Sequence, residues 1–235
     1  MRNRAKMTLL ALALGGGSLP SPATAQATET AAQETPATEK AAAPELITQD
    51  ATLIANWAVA SGDNRRLPFI IIDKLGAAVS VYDGDGRFLG ATPALLGIAP
   101  GDESVPGVGD RELRDISPEQ RTTPAGRFEA SFGRAFGLPK VLWVDYTSSV
   151  ALHPVVRGSK NDHRRERLKS PTSHDNRITY GCINISASFF EKVVVRSLGK
   201  SAGGVVYTLP ETKSLSEAFP AFRVQGQAQA LARSE

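Results

Sequence analysis

Short apolar runs of the kind that form β-strands recur along the chain between positions 68 and 210. Turn-forming Gly, Pro and Asp residues separate these runs. The clearest runs are PFIIIDK, AAVSVYD, FLGATPALL, TPAGRFEASF, KVLWVDY, SSVALHPV and GGVVYTLP. About 140 residues suffice for one hydrophobic core and not for two. The pattern therefore predicts one compact, mostly antiparallel β domain over residues 67–210, with a few short helices.

A helical pattern precedes the strands. In LITQDATLIANWAVAS the apolar residues Leu53, Ile54, Trp57 and Ala58 recur at the spacing of one helix face, and Gly62 marks a stop. We predict a leading helix within residues 46–66.

A second helix is predicted after position 182. Ser188 followed by Glu191 fits a capping box, which would start a helix through FFEKVVVRSL that Gly199 ends. Residues 211–235 have weak apolar patterning, and we interpret them as a C-terminal tail.

The N-terminus has the order of a secretory signal peptide. The basic stretch RNRAK precedes the apolar run MTLLALAL, and small residues ending in ATA follow. The apolar run is much shorter than the roughly 20 residues that cross a membrane. We predict that residues 1–25 are removed near Ala25, and that the exported chain has no membrane attachment. Residues 26–45, rich in Ala, Thr, Glu and Pro, are predicted to be a flexible tether.

Charge gives no support for a nucleic-acid partner. The chain has 27 basic and 24 acidic residues, and three of the basic ones, Arg2, Arg4 and Lys6, lie in the signal segment. The mature chain is then balanced, whereas a nucleic-acid partner needs a basic face.

Cys182, in the stretch NRITYGCINIS, is the only cysteine of the chain. An exported protein with one cysteine has no partner for an internal disulfide. The thiol is therefore buried and inert, paired with another exported protein, or kept for its reactivity. A position shortly before a predicted helix would lower the thiol pKa. Gly181 would let the amides of Tyr180, Gly181 and Cys182 face one oxyanion, which favours a nucleophile.

The chain has three histidines that could serve as the base, His153, His163 and His174. His153 ends an apolar strand that would hold its ring, whereas the other two lie in a charged loop. We predict His153 as the base, and a histidine with a purely structural role at the strand end is the alternative. The three histidines and the thiol lack the spacing of a metal site, so no metal and no cofactor is predicted.

Three segments resemble landmarks of one family. They are TPAGRF at Thr123–Phe128, ALHPV at Ala151–Val155 and TYGCIN at Thr179–Asn184. They look like the Thr-Pro-x-Gly-x-Phe segment, the strand-end histidine and the Ser/Thr-His-Gly-Cys-x-Asn/Arg motif of the L,D-transpeptidase (YkuD-type) catalytic domain. The resemblance covers residues 67–210 and implies an L,D-transpeptidase-like β-sandwich.

The resemblance also implies peptidoglycan chemistry. In the family the cysteine attacks the L,D peptide bond of a tetrapeptide stem, releases D-alanine and forms a thioester. An amine of a second stem, or water, then resolves the thioester. Carried over, Cys182 is the nucleophile, His153 the base and Thr179 the residue that orients the imidazole. The other motif positions are expected to form the oxyanion site or to support the loop and the substrate: Tyr180, Gly181 and Asn184.

The chain departs from the family pattern in three ways. Tyr180 replaces the usual histidine, and a phenol cannot become a cation near the thiolate. Pro154 replaces the glycine that usually follows the base. The 25 residues between His153 and Thr179 exceed the family's usual spacing, which would select His163 instead. Because a loop insertion costs little free energy, we keep His153.

Residues 157–177 form a long polar insertion with a net positive charge. Its basic residues before the cysteine motif include Arg157, Lys160, Arg164, Arg165, Arg167 and Lys169. Such a loop could bind the carboxylates of stem peptides, so we predict a substrate-gating lid, with Arg177 in substrate binding. A solvated loop is the alternative.

The sequence as a whole predicts a cysteine-dependent L,D-transpeptidase in the periplasm, with peptidoglycan stem peptides as its partners. An L,D-carboxypeptidase of the same site and a non-catalytic peptidoglycan-binding module are the alternatives. The acceptor is left open among a second stem, a D-amino acid, a lipoprotein and water.

Overall fold

A computed structural model describes residues 46–135, 137–156 and 160–223. The predicted signal peptide, the tether and the last residues of the predicted tail lie outside these ranges. The strands are β1 (Phe69–Asp73), β2 (Ala78–Tyr82), β3 (Phe88–Pro93), β4 (Leu96–Gly97), β5 (Gly126–Ala135), β6 (Leu138–Asp145), β7 (Val150–Pro154), β8 (Arg177–Thr179), β9 (Ile183–Ile185) and β10 (Gly203–Thr208).

Eight of these strands form one mixed sheet in the order β3-β2-β1-β10-β5-β6-β7-β9. Neighbours pair antiparallel, except that β1 with β10 and β7 with β9 are parallel. β4 and β8 form a separate parallel pair. Each of the predicted apolar runs overlaps one of the longer strands. The prediction of a mostly β domain with a few short helices is confirmed.

The helices are α1 (Gln49–Ser61), α2 (Arg164–Arg167), α3 (Ala187–Phe189), α4 (Arg196–Leu198) and α5 (Leu215–Ala218). A π-helical turn, Phe190–Val195, joins α3 to α4 in one helical run. α1 begins after Thr48, whose hydroxyl accepts from the amide of Ala51. It ends at Gly62, which has the left-handed φ of +72° that glycine adopts readily.

The helical run 187–198 begins earlier than predicted. Ser186 caps it, because its hydroxyl accepts from the amide of Phe189 (3.2 Å). The expected cap at Ser188 is wrong, and so is the stop at Gly199, which keeps right-handed helical angles. The chain leaves the following 3-10 turn at Ala202, where φ is +58°.

The two layers of the core are built from alternate residues of β1. Ile70 and Ile72 join an apolar cluster with residues of the helical run 187–198. Phe69 and Ile71 join the cluster that contains the buried face of α1. Since successive strand residues point to opposite faces, β1 is buried along its whole length. This is why its sequence is an unbroken apolar run.

The start of the predicted tail packs against the domain. Phe219 is 2% exposed. The ring of Phe222 meets Trp57 of α1 edge to face at 5.7 Å between centroids. Leu215, Ala218, Phe219 and Phe222 therefore join the core that α1 covers.

A buried ion pair fastens this C-terminal stretch to the rest of the domain. The Nζ atom of Lys74 donates to Asp102 (2.6 Å) and to the carbonyl oxygen of Thr123 (3.1 Å). The side chains of Lys74 and Asp102 are 0% and 1% exposed. Asp102 also accepts from three consecutive backbone amides, those of Glu211, Thr212 and Lys213. One carboxylate thus joins β1, the loop after β4 and the C-terminal stretch.

We expect Asp102→Asn to lower the free energy of unfolding by about 3 kcal/mol at pH 7, because the buried Lys74 ammonium loses the carboxylate at 2.6 Å and keeps only that of Glu211 at 3.7 Å. Burial alone would raise the pKa of Asp102, but hydrogen bonds from Lys74, Thr212 and the backbone hold it far below its ordinary value. Such a carboxylate stabilises the fold above its unfolded-state pKa of about 4 and loses that contribution as the pH falls. Urea unfolding should therefore show a deficit that shrinks from about pH 5 to pH 2.

Glu103→Gln is the matched control for this prediction. Glu103 follows Asp102 in the loop and also contacts the C-terminal stretch, through an ion pair with Lys213. Its side chain is 78% exposed. Exposed pairs contribute little, so this variant should unfold like the wild type. The role given to Asp102 would be contradicted if Asp102→Asn lowered the free energy of unfolding by the same amount at pH 5 and pH 2. An equal loss in Glu103→Gln would contradict it too.

Candidate active site

The cysteine lies in a tight turn between β8 and β9. The hydroxyl of Thr179 donates to the carbonyl oxygen of Cys182 (2.6 Å) and accepts from the amide of Gly181 (3.1 Å). The carbonyl oxygen of Thr179 accepts from the amide of Ile98 (3.1 Å). Both oxygens of Thr179 bind backbone groups, whereas the ring nitrogens of His153 contact Pro154 and Asn184, so a role of Thr179 in orienting the imidazole stays a prediction. The contacts of Thr179 shape the turn that carries the thiol.

The predicted oxyanion site is corrected by the same contacts. The amide of Gly181 donates to the Thr179 hydroxyl and is not available to an oxyanion. The amides of Tyr180 and Cys182 are the two members of the predicted set that stay candidates.

Gly181 is required by its surroundings. Its φ is +125°, and a Cβ atom there would lie 2.8 Å from the carbonyl oxygen of Thr122. The carbonyl oxygen of Gly181 accepts from the hydroxyl of Thr123 (2.8 Å), which in turn accepts from the amide of Gly97 (2.9 Å). The Thr-Pro segment found in the sequence therefore holds the cysteine turn in place through its contacts with Gly181.

The Cys182 thiol is half-buried against the start of β7. It donates to the carbonyl oxygen of Ser149 (3.7 Å) and accepts from the amide of Ala151. Burial raises the pKa of the thiol to about 11, although the Ala151 amide and the charge of Arg164 act in the opposite direction. The predicted lowering of the thiol pKa is therefore wrong. The reason is that β9 separates Cys182 from the helical run, whose first turn is capped by Ser186.

His153 is the penultimate residue of β7 and is 4% exposed. Its Nδ1 lies 2.9 Å from the carbonyl oxygen of Pro154, which can only accept, so we assign the ring hydrogen to Nδ1. Its Nε2 then accepts from the side-chain amide of Asn184 (3.0 Å). Burial lowers the pKa of His153; the Pro154 contact opposes this change and the charge of Arg164 adds to it. The imidazole is neutral at pH 7, as a base must be.

The backbone of Pro154 was missed as a site group. The sequence shows only that a proline stands where the related family has glycine. The carbonyl oxygen that it supplies holds the imidazole of His153, the role that the sequence assigned to Thr179.

The two other histidines do not line the cavity that holds Cys182. His163 is exposed at the start of α2 with a left-handed φ of +48°. His174 is exposed and lines a different cavity. The structure therefore offers His153 as the histidine next to Cys182.

A cavity of about 210 Å³ brings most of the predicted site together. It is lined by Leu113, His153, Val156, Arg164, Thr179, Tyr180, Cys182 and Asn184. The pairing of β7 with β9, in which His153 lies opposite Asn184, places the imidazole and the cysteine turn side by side.

Asn184 joins the imidazole to the insertion. Its side-chain oxygen accepts from Nη1 of Arg164 (2.9 Å), which leaves its amide nitrogen to donate to His153. Nε of Arg164 donates to Asp162 (3.0 Å). The sequence predicted that Asn184 supports the loop or the substrate, but nothing in it linked Asn184 to a residue 20 positions away.

Tyr180 lies under a guanidinium. The Cζ atom of Arg121 is 3.9 Å from the centroid of the Tyr180 ring, a cation–π contact. The Arg121 side chain is held by the carbonyl oxygen of Ile116 (2.8 and 3.0 Å). The guanidinium of Arg121 therefore places a positive charge beside Tyr180, the residue that replaces the family's usual histidine. The sequence did not predict this contact.

Arg177 does not face the thiol. Its guanidinium forms an ion pair with Glu211 and donates to the carbonyl oxygens of Lys74 (3.1 Å) and Gly97 (3.3 Å). It lines a second cavity of about 300 Å³ together with His174. The expectation of substrate binding at the cysteine is corrected because the buried Glu211 takes this charge.

The part of the insertion that the structure describes, 160–177, is made of short helical turns. Arg164 lines the cysteine cavity. Arg167 instead donates to the carbonyl oxygens of Asp162 (2.8 Å) and Asp175 (2.6 Å), and Arg165 is exposed. Arg157 lies outside the described residues. The gating lid therefore stays a prediction, with Arg164 as the residue placed to serve it.

Among the residues that the structure describes, no three His, Cys, Asp or Glu side chains lie together so as to hold a metal ion. Within the same ranges, no helix combines the length and the apolar character needed to cross a bilayer.

Comparison with known proteins gives likenesses to solved structures. No protein-family model matches the sequence, and no curated protein matches it. Similar structures include an L,D-transpeptidase from Xylanimonas cellulosilytica, with 16% identity over 61% of this chain and 60% of that chain and a TM-score of 0.35. The catalytic domain of an L,D-transpeptidase from E. faecium has 17% identity over 60% of this chain and 95% of that chain, with a TM-score of 0.37. The helical cell shape determining protein Pgp2 from Campylobacter jejuni has 15% identity over 68% of this chain and 57% of that chain, with a TM-score of 0.41.

The match to the first of these structures spans 60% of its length. Two of the three are named as the family that the sequence motifs resemble. At these identities and TM-scores the likeness does not identify catalytic side chains. The chain is similar to these solved structures at low identity, and the likeness to the L,D-transpeptidase catalytic domain is that of the three sequence motifs.

Proposed function

We propose that the protein is an exported, cysteine-dependent L,D-transpeptidase that acts on peptidoglycan stem peptides. The observation that carries the proposal is that Cys182 and the buried, neutral His153 line one cavity. A thiol, a base in a fixed tautomer and two nearby backbone amides are the groups that acyl transfer through a thioester needs. The stem peptide as substrate comes from the resemblance of the three sequence motifs.

In the proposed first half-reaction, the sulfur of Cys182 attacks the carbonyl carbon of the L,D peptide bond. The thiol proton passes to Nε2 of His153, which stays hydrogen-bonded to Pro154 through Nδ1. The amides of Tyr180 and Cys182 would bind the oxyanion of the tetrahedral intermediate. When the carbon–nitrogen bond breaks, His153 returns the proton to the amine of the departing D-alanine, and a thioester is left.

In the second half-reaction, an acceptor amine attacks the thioester. His153 takes a proton from the amine and gives it to the departing sulfur, which restores the thiol. The new amide bond is a cross-link when the amine belongs to a second stem. Water in the place of the amine gives the carboxypeptidase reaction. Leu113 and Val156 contribute apolar walls to the cavity, which disfavour water as the acceptor.

A non-catalytic peptidoglycan-binding module is the second candidate. One observation favours it: the thiol pKa is about 11, so the resting sulfur is almost entirely protonated at neutral pH. General-base catalysis does not require a preformed thiolate, because His153 can remove the proton during the attack. For this reason we place the enzyme first.

The test uses the mature protein and purified disaccharide-tetrapeptide muropeptides. Release of D-alanine together with a cross-linked dimer identifies a transpeptidase, and release with tripeptide alone identifies a carboxypeptidase. Binding of the muropeptide without release of D-alanine supports the module and contradicts the proposal. Omission of residues 1–25 leaves the described residues unchanged.

A further inference from the structure

Both members of the proposed catalytic pair are engaged with other groups. The thiol of Cys182 donates to the carbonyl oxygen of Ser149 at 3.7 Å. Nε2 of His153, the atom that would take the thiol proton, accepts from the side-chain amide of Asn184 at 3.0 Å. A nitrogen whose lone pair receives one N–H group is not open to a second donor in the same direction.

The orientation of the Asn184 amide follows from its two neighbours. Arg164 has only donors, so the group of Asn184 that faces it at 2.9 Å must be the carbonyl oxygen. The amide nitrogen is then the group that faces His153. Asn184 is 1% exposed, and its backbone is paired with Leu95 on both its N–H and its C=O. Its side chain can move only if the bond to Arg164 is loosened.

Arg164 is placed to respond to a ligand. Its side chain is 16% exposed and lines the cavity that holds Cys182. Its bonds to Asp162 and Asn184 use two of the five N–H donors of a guanidinium. A carboxylate that entered the cavity would be a stronger acceptor than the neutral amide oxygen of Asn184.

We propose that the bond from Asn184 to Nε2 of His153 is a latch on the catalytic base, and that a carboxylate of the substrate releases it by binding Arg164. The inference rests on the proposed function, and it adds a selection rule: acyl donors with a free carboxylate near the scissile bond are activated. When the guanidinium turns to the carboxylate, the Asn184 side chain turns with it. The lone pair of Nε2 of His153 is then no longer bonded to the Asn184 amide and can take the thiol proton.

The groups that face His153 are those on which this release depends. Cys182 and Tyr180 come from the turn between β8 and β9, and Arg164 comes from α2. Asp162 lies behind Arg164. Charge alone predicts the opposite response to a ligand, because a bound carboxylate disfavours formation of a thiolate nearby. An acceleration therefore reports release of the latch.

The first experiment measures the rate at which iodoacetamide alkylates Cys182 at pH 7. N-acetyl-D-alanine is added as a carboxylate probe, with N-acetyl-D-alaninamide as the neutral control of the same shape. We expect the carboxylate to accelerate alkylation about fivefold with saturation, the factor of one net hydrogen bond. The amide should have no effect. Slower or unchanged alkylation with the carboxylate overturns the proposal.

The second experiment compares variants in the same assay. Arg164→Ala should lose the response to N-acetyl-D-alanine, whereas Arg165→Ala, which removes an exposed arginine of the same helix, should keep it. Asn184→Ala and the similarly sized Asn184→Leu should be alkylated about fivefold faster than the wild type without any ligand. Slower alkylation in a folded Asn184 variant, or a retained response in Arg164→Ala, contradicts the latch. Should the Asn184 variants unfold, the response of the wild type decides.

Alkylation needs no turnover of a stem peptide, which separates the two proposals. A carboxylate response without release of D-alanine would keep the latch and remove the transpeptidase. Release of D-alanine without a carboxylate response would keep the transpeptidase and remove the latch.

Discussion

Cys182→Ala should abolish the release of D-alanine from tetrapeptide muropeptides, with a rate at least about a thousandfold below that of the wild type. The substitution removes the atom that would carry the acyl group, and His153 cannot replace it. Because the thiol is half-buried and makes only weak hydrogen bonds, the variant should keep the fold and bind the muropeptide. D-alanine can be measured by a coupled oxidase assay, and binding by calorimetry.

Cys182→Ser is the matched variant for this result. It keeps the shape of the side chain but offers a hydroxyl, which His153 activates less readily than a thiol. Mass spectrometry of the wild type, quenched by acid after D-alanine is released and before an acceptor resolves the thioester, should find the tripeptide acyl group on Cys182 and on no other residue. Equal D-alanine release by wild type and Cys182→Ala would remove the cysteine from the chemistry.

The strands of the sheet were predictable because each is a local pattern. The runs FIIID and GGVVYT are buried on both faces, and their side chains match that environment without reference to the rest of the chain. The strands that hold the cysteine turn were not predictable in the same way. β8 and β9 have three residues each, and they are strands only because β4 and β7 pair with them.

Cys182 and His153 could be proposed as nucleophile and base from the sequence, but the groups that contact them could not be predicted. Cys182 and His153 are rare residue types in suggestive positions. The resemblance of the motif TYGCIN implied that Thr179 orients the imidazole, yet the carbonyl oxygen of Pro154 contacts the ring. Any residue supplies a carbonyl oxygen, so a sequence carries no signal for it. The contact of Arg164 with Asn184 likewise depends on how the insertion folds back.

The predicted direction of the Cys182 pKa shift was wrong for a related reason. The expectation counted amide dipoles along the chain and left out the cost of burial. Desolvation of the sulfur is the largest effect on Cys182 and raises its pKa to about 11. The same effect lowers the pKa of His153. Both shifts favour the neutral forms of the thiol and the imidazole, so in the proposed reaction charge forms only when the substrate is attacked.

His153→Ala should lower the rate of D-alanine release by a factor of about 100 to 10,000, the usual contribution of a positioned base. His163→Ala should have nearly wild-type activity, because His163 is exposed at the start of α2. The two variants decide between the histidine chosen from the strand pattern and the one that the family's usual spacing selects. Loss of activity in His163→Ala with full activity in His153→Ala would overturn the assignment.

A structural role of His153 can be separated from a catalytic one by chemical rescue. His153→Ala leaves the buried amide nitrogen of Asn184 without its ring partner, so some loss of stability is expected and should be measured by thermal unfolding. The same substitution leaves space beside the thiol in which added imidazole can bind. If His153 is the base, imidazole should restore part of the D-alanine release in His153→Ala and none in Cys182→Ala. Rescue that is absent although His153→Ala is folded and binds imidazole would assign His153 a structural role.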